Sequence, residues 1–162
     1  MTRYTQDIFV SWEELHRDCR ALCRTLIARE EKWTRIIAVT RGGLIPAAVV
    51  ARELDLRLVD TICVVSYRGA QAQQAGAVDI LEAPTGDGEG CLLIDDLVDT
   101  GRTARAIRER LPRAFFATVY AKPEGRPFTD LCIREIPQTT WIRFPWDTEL
   151  SFAVPLVERD DD

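Results

Sequence analysis

The stretch Cys91-Leu92-Leu93-Ile94-Asp95-Asp96-Leu97-Val98-Asp99-Thr100-Gly101-Arg102-Thr103 decides the fold. Four apolar residues run into two adjacent carboxylates, a third follows at Asp99, and a Thr-Gly-Arg-Thr turn opens a segment, Ala104 to Leu111, that reads as helix. A short apolar run ending in a turn and then a helix is how a buried parallel strand delivers polar groups to the carboxyl edge of an open α/β sheet. Ligands of such folds bind at that edge.

The turn also indicates the chemistry of the ligand. Gly101 permits backbone angles closed to other residues, so successive N–H groups can converge on one anion, helped by the hydroxyls of Thr100 and Thr103 and by the positive end of the following helix. That points to a phosphate. Asp95 and Asp96 are acceptors only, suited to sugar hydroxyls or to a magnesium that bridges to phosphate oxygens. Phosphate, diol and metal in one loop suggest a phosphorylated sugar.

Other regions of the chain repeat the strand, turn and helix plan. Arg35 to Thr40 is a compact β-rich run that stops at Arg41-Gly42-Gly43, and Leu44 to Leu54 follows as a helix with Pro46 near its start, where proline is tolerated. Ser11-Trp12-Glu13-Glu14 reads as a capping box, opening a helix from about Ser11 to Ala28 with Trp12, Leu15, Cys19, Leu22, Cys23, Leu26 and Ile27 on one apolar face. Arg57 to Ser66 is a third strand, and Ala114 to Ala121 a further one with Lys122 at its end. Leu131 to Ile136 and Thr140 to Phe144 are short strand-like pieces in a small C-terminal lobe that carries Trp141 and Trp146.

Composition narrows the function classes. At 162 residues, 46% hydrophobic and 29% charged, the chain supports one domain over residues 1–162 with a core of ordinary size. A net charge of −5 without a basic run disfavours nucleic acid as a partner. No Gly-Lys-Ser/Thr occurs, so the Walker phosphate loop does not apply. Only two residues of the 21 basic ones are lysines, Lys32 and Lys122, which singles out Lys122. The five cysteines are scattered and odd in number, which argues for buried thiols, and the single histidine, His16, leaves no zinc set. Met1 to Asp7 is polar and lacks a signal-peptide pattern, and no apolar run approaches the length of a membrane span, so a cytoplasmic protein is expected.

The strand followed by Asp-Asp and then Asp-Thr-Gly-x-Thr resembles the phosphoribosyl-diphosphate motif of the type I phosphoribosyltransferases, matched without a gap from Ile94 to Thr103. With Ala38-Val39-Thr40-Arg41-Gly42-Gly43, Ser66-Tyr67, Ala121-Lys122-Pro123 and Trp141-Ile142 in order, the resemblance extends over nearly the whole chain to the purine branch that takes xanthine and guanine. It implies an α/β fold with an open, mainly parallel sheet, a hood over about 66–84 and a base-binding lobe over about 122–155. The implied reaction joins a 6-oxopurine to 5-phosphoribosyl 1-diphosphate, with Mg2+ as cofactor and release of diphosphate. Guanine and xanthine are the substrates implied, ahead of hypoxanthine.

Residue roles follow by the same resemblance. Thr100, Gly101, Arg102 and Thr103 would hold the 5′-phosphate, Asp95 and Asp96 the ribose hydroxyls and, through Asp96, the metal, and Arg41 with Gly42 the diphosphate. Asp99 would be the acid–base group near purine N7, Lys122 the donor to O6, and Trp141 the stacking platform, with the main chain of Trp141 and Ile142 reading the opposite base edge. Ser66 and Tyr67 begin the hood, which here carries glutamines where relatives usually carry basic residues, and Asp147 approaches the base or a second metal. Relatives imply a tetramer, some of them at the inner membrane surface, although no amphipathic anchor stands out in this chain.

Three other readings compete. Asp-Asp-x-x-Asp also resembles the metal-diphosphate motif of isoprenyl synthases, which place it mid-helix, whereas here a strand-like run precedes it. A hypoxanthine-preferring enzyme, or a non-catalytic nucleotide-sensing regulator on the same fold, would share the phosphate loop; the absent basic face disfavours the regulator.

Overall fold

The computed structural model describes residues 4–66 and 78–147. The expectations for Tyr67, for the body of the hood up to residue 77 and for the C-terminal tail lie outside the described residues.

Strand β1 (Gln6–Phe9) precedes helix α1 (Trp12–Ile27), then come β2 (Arg35–Thr40), α2 (Leu44–Glu53), β3 (Val59–Ser66) and β4 (Val78–Glu82). The second half runs β5 (Cys91–Val98), α3 (Arg102–Arg110), β6 (Phe115–Ala121), a single 3₁₀ turn (Arg126–Phe128), β7 (Leu131–Glu135) and β8 (Thr140–Arg143). Among the described residues the main sheet has the order β4-β3-β2-β5-β6-β7, and every pairing is parallel except that of β3 with β4. The open, mainly parallel α/β sheet expected from the strand and helix alternation is therefore present. From β2 the chain winds outward through α2 to β3, and from β5 it winds the other way through α3 to β6, so the strand order reverses between β2 and β5. Such a reversal leaves a crevice at the carboxyl ends of the two strands.

The core follows from alternation along the central strands. Ile36, Ala38, Leu92 and Ile94 pack with Leu15, Cys19, Leu22, Leu26 and Val50 of α1 and α2 on one face of the sheet. Ile37, Val39, Leu93 and Phe116 pack with Ala104, Ile107 and Leu111 on the other. Both faces are covered, which is why these strands read as unbroken apolar runs.

Helix α1 starts as its sequence indicates: the Ser11 hydroxyl accepts from the Glu14 N–H at 3.1 Å and the Glu14 carboxylate accepts from the Ser11 N–H at 3.0 Å. Two members of its expected apolar face are displaced to the surface, Trp12 at 52% exposure and Ile27 at 62%. Trp12 sits in the first turn, beyond the reach of the sheet, and meets Trp146 instead, ring centroids 6.0 Å apart. Within the buried face stands Asp18, 5% exposed, whose carboxylate accepts from the Tyr120 hydroxyl at 2.8 Å and from Arg134 at 3.2 Å. A buried carboxylate needs such partners. Burial, with Asp18 next to it, pushes the Tyr120 phenol above its ordinary range.

Two features differ from the plan read in the sequence. The central strand continues through both carboxylates to Val98, so Asp95 and Asp96 are strand residues rather than residues between the strand and the turn. Strand β7 joins the main sheet beside β6, while β8 leaves it to pair in parallel with β1 in a separate two-stranded sheet, Gln6 opposite Thr140 and Asp7 opposite Trp141. That small sheet draws the amino-terminal segment onto the lobe carrying Trp141.

Candidate active site

The crevice at the switch point is a cavity of about 570 Å³ lined by Thr40, Gly42, Asp95, Asp96 and the run Leu97 to Ala104, with Tyr4, Val64 and Val78 completing the wall. It brings together seven of the residues singled out in the central stretch, Asp95, Asp96, Asp99, Thr100, Gly101, Arg102 and Thr103, and adds Gly42 from the turn after β2.

Gly101 opens α3 with φ of 78°, in the left-handed region that glycine adopts without penalty, and no side chain caps the helix. The first N–H groups of α3 are thus left to an anion in the cavity. No acidic side chain stands in this first turn. Space enforces glycine as well, since a Cβ at Gly101 would lie 2.2 Å from the Phe128 ring.

At the opposite wall, a Cβ at Gly42 would lie 2.4 Å from a carboxylate oxygen of Asp96. The turn after β2 therefore lies directly against the Asp96 side chain, and only glycine allows the approach. The Thr40–Arg41 peptide is cis. Arg41 itself is exposed at the rim and does not line the cavity.

Asp95 is 7% exposed, and burial, reinforced by the charge of Asp96, holds its carboxyl well above the ordinary range. Burial likewise pushes Asp96 up to about 6, with the negative charge of Asp147 adding to the rise. Asp147 therefore stands close enough to Asp96 to be felt electrostatically. Two adjacent carboxylates both resisting ionisation form a donor set that a divalent cation would relieve. Among the described residues no three His, Cys, Asp or Glu side chains converge into a closed metal cage. The chemistry of the Asp95-Asp96 pair suits magnesium, which binds through one or two carboxylates and completes its shell with water and substrate oxygens.

Beside the Thr100–Thr103 turn, β5 and β6 end side by side, the Lys122 N–H donating to the Val98 carbonyl at 2.9 Å. This register sets the Lys122 ammonium 3.0 Å from Asp99 Oδ2. Lys122, expected at the sheet edge, is there, but it is 1% exposed. The other Asp99 oxygen, Oδ1, accepts from Gln138 Nε2 at 2.8 Å, and Gln138 Oε1 in turn accepts from the Glu124 N–H at 3.0 Å. Gln138 is thus a positioning residue for Asp99 that the sequence did not disclose: it lies 39 positions away and belongs to no motif. Tyr4 was missed for the same reason; its hydroxyl donates to Asp99 Oδ2 at 2.9 Å. Trp141 is half-buried, its ring edge-on to Tyr4 with centroids 4.9 Å apart, whereas the Ile142 side chain is buried in the core, consistent with a role for its main chain only. Neither Lys122 nor Trp141 lines the cavity, and Ser66, at the end of β3, does not reach it either.

Residues 7–153 match the family described as the phosphoribosyl transferase domain. The chain is 54% identical over 157 residues to a xanthine-guanine phosphoribosyltransferase of Chromohalobacter salexigens, covering 97% of this chain and 94% of the relative. It is 53% identical over 158 residues to the enzyme of the same name from Desulfotalea psychrophila, covering 98% and 97%. In structure it resembles a purine phosphoribosyltransferase from Pyrococcus horikoshii, with a TM-score of 0.74 at 28% identity, covering 94% of this chain and 99% of the other. The Thr100–Thr103 turn at the switch point and these likenesses lead to one assignment: the chain belongs to the phosphoribosyltransferase family, alongside its xanthine-guanine members.

Proposed function

We propose that this protein is a purine salvage transferase that converts guanine or xanthine, and less well hypoxanthine, with 5-phosphoribosyl 1-diphosphate to the nucleoside 5′-monophosphate and diphosphate. The observation that carries this reading is the placement of the Asp95-Asp96 pair and the uncapped start of α3 in one cavity, with the Lys122–Asp99 pair at its end. The first half suits a phosphorylated ribose and the second a flat base with an oxygen and a ring N–H.

In this reaction the C1–O bond to diphosphate breaks, a purine nitrogen bonds to C1, and the base loses its N–H proton. The N–H groups at Gly101 to Thr103 and the Thr100 and Thr103 hydroxyls bind the 5′-phosphate, and Arg102 adds positive charge beside them. Asp95 and Asp96 orient the ribose hydroxyls. Asp96 would hold Mg2+, which when bound would supply positive charge to the diphosphate side of the site. Arg41, at the rim beside Gly42, meets the diphosphate charge. Asp99, steadied by Gln138, takes the proton leaving purine N7. Lys122 has donors and no acceptor, so it selects a 6-oxo group over the 6-amino group of adenine. Trp141 stacks on the base, a contact worth about 1–3 kcal/mol where bases stack on aromatics.

We read residues 1–162 as one domain that works in the cytoplasm as a homo-oligomer, a tetramer by resemblance. Exposed apolar side chains such as Phe9, Trp12 and Leu58, each more than half exposed, offer surface for assembly. No helix among the described residues is long and apolar enough to cross a membrane.

The deciding experiment is steady-state turnover of guanine, xanthine, hypoxanthine and adenine with 5-phosphoribosyl 1-diphosphate and Mg2+, followed by diphosphate release. Guanine and xanthine ahead of hypoxanthine, with adenine inert, is the expected order. Hypoxanthine ahead of both would make it a hypoxanthine enzyme, and failure with every purine despite binding of the sugar diphosphate would overturn the enzymatic reading.

A further inference from the structure

We infer that Tyr4 is a built-in occupant of the base subsite, a phenol that a purine must displace to reach Lys122, Asp99 and Trp141. The inference rests on the reading of those three side chains as the base contacts.

Each of the three is engaged by this one ring. The Tyr4 hydroxyl donates to Asp99 Oδ2 at 2.9 Å, the same oxygen that the Lys122 ammonium holds at 3.0 Å. The ammonium also lies over the Tyr4 ring, 4.5 Å from its centroid, in cation–π geometry. The ring edge meets Trp141 at 4.9 Å between centroids with planes 66° apart, a T-shaped pair. A 6-oxopurine makes parallel demands: an aromatic body against Trp141, an N–H for Asp99 and electron density for Lys122. The phenol satisfies the same three groups with its ring, its O–H and its π face.

The shape of the cavity agrees. It is lined by Tyr4 and Asp99 and stops there, so that neither Lys122 nor Trp141 opens into it. Lys122 is only 1% exposed although its partner Asp99 retains 28% of its side-chain surface. Tyr4 and Asp99 both line the cavity and both contact the ammonium.

Tyr4 is also placed to leave. It precedes β1, whose pairing with β8 starts at Gln6, and the Thr5 N–H donates to the Thr139 carbonyl at 2.8 Å. The backbone on its carboxyl side is therefore anchored next to Trp141 while the side chain itself is 36% exposed. Rotation of the side chain towards solvent breaks no strand pairing. When an internal group competes for a subsite, the apparent affinity for the ligand falls by the fraction of molecules in which the subsite is filled.

The test compares wild type, Tyr4→Phe and Tyr4→Ala by calorimetric titration with guanosine 5′-monophosphate and, separately, with 5-phosphoribosyl 1-diphosphate and Mg2+. Loss of the cation–π and ring–ring contacts together with the hydroxyl contact predicts nucleotide binding roughly 5- to 30-fold tighter in Tyr4→Ala, with Tyr4→Phe between it and wild type. Sugar-diphosphate binding stays within about twofold and reports that the fold is intact. KM for guanine falls in parallel. Nucleotide binding that is equal or weaker in Tyr4→Ala, with sugar-diphosphate binding retained, overturns the inference and makes Tyr4 a wall of the filled pocket. Sugar-diphosphate binding with no nucleotide binding in any of the three proteins overturns the base-subsite reading itself, and this inference with it.

Discussion

Removal of the Asp99 carboxylate should cost the fold more than removal of both members of its ion pair with Lys122. The Lys122 ammonium is 1% exposed and sits 3.0 Å from Asp99 Oδ2. Taking one partner from a fully buried pair costs about 3–5 kcal/mol, because the other charge is left without compensation. Here Asp99 retains 28% of its side-chain surface, so water can enter the space it vacates and reduce the penalty. For Asp99→Ala we expect a loss of about 2–3 kcal/mol, a fall in Tm of about 4–12 °C for a chain of this length. Lys122→Met leaves a carboxylate that still accepts from Gln138 at 2.8 Å and from Tyr4 at 2.9 Å, and replaces a buried charge by an apolar chain of similar length. Its cost should stay below about 1 kcal/mol. The double variant then lies within about 1 kcal/mol of Lys122→Met alone, giving a coupling of about 1–3 kcal/mol between the two sites. Thermal and urea denaturation of the four proteins without substrate measure the cycle. Losses that simply add would show that the ammonium gains nothing from the carboxylate, and the account of how β5 and β6 build this end of the site would fail.

Three further outcomes follow from the same geometry. Asp99→Asn keeps the shape but not the basicity, and loss of one charge-assisted hydrogen bond in the transition state should lower kcat for guanine by about 10- to 150-fold; an unchanged kcat would remove Asp99 from the chemistry. Asp96 has a folded-state pKa raised to about 6, so it destabilises the metal-free protein as pH climbs from its unfolded value through that point. Asp96→Asn should therefore raise Tm at pH 7.5, by up to about 2 kcal/mol of stability, and have little effect at about pH 2.5, where both states carry the proton; a destabilised variant at pH 7.5 would contradict the burial argument. Burial pushes the thiols of Cys19 and Cys23 up to about 12 and about 11, so both remain protonated at pH 8. Neither should react with iodoacetamide in the native protein on a timescale that labels an exposed thiol, and mass spectrometry of rapidly modified Cys19 would refute the burial.

Legibility in the sequence followed how local each determinant is. The capping box of α1, the apolar runs of β2 and β5 and the Thr-Gly-Arg-Thr turn are fixed by neighbours within four residues, and they fold where the pattern puts them. Lys122 stood out because lysine is scarce in this chain, and register then explains it, since β6 ends beside Val98. What the sequence hid depends on distant pairing. Strand β1 has no alternating pattern of its own, its residues being mostly exposed, and it exists because Gln6 to Phe9 find Thr140 to Arg143. Asp18 sits where helical periodicity calls for an apolar residue. Its tolerance comes from Tyr120 and Arg134, more than 100 positions away.

The residues missed at the site, Tyr4 and Gln138, share a cause with the hidden strand, and that link bears on how the site works. Gln138 stands in the turn just before β8, and Tyr4 just before β1. Parallel pairing of these two strands, Gln6 opposite Thr140, brings both residues to the same end of the small sheet, where one donates to Asp99 Oδ1 and the other to Oδ2. The half of the site proposed for ribose phosphate is built from the ends of β2 and β5 in the main sheet and from the start of helix α3. The half proposed for the base takes Asp99 and Lys122 from just past the ends of β5 and β6, and Tyr4 and Gln138 from beside the second sheet. On that proposal, changes that loosen β1 from β8 should act on base affinity while leaving the Thr100–Thr103 turn intact, and the amino-terminal segment would bear directly on the purine.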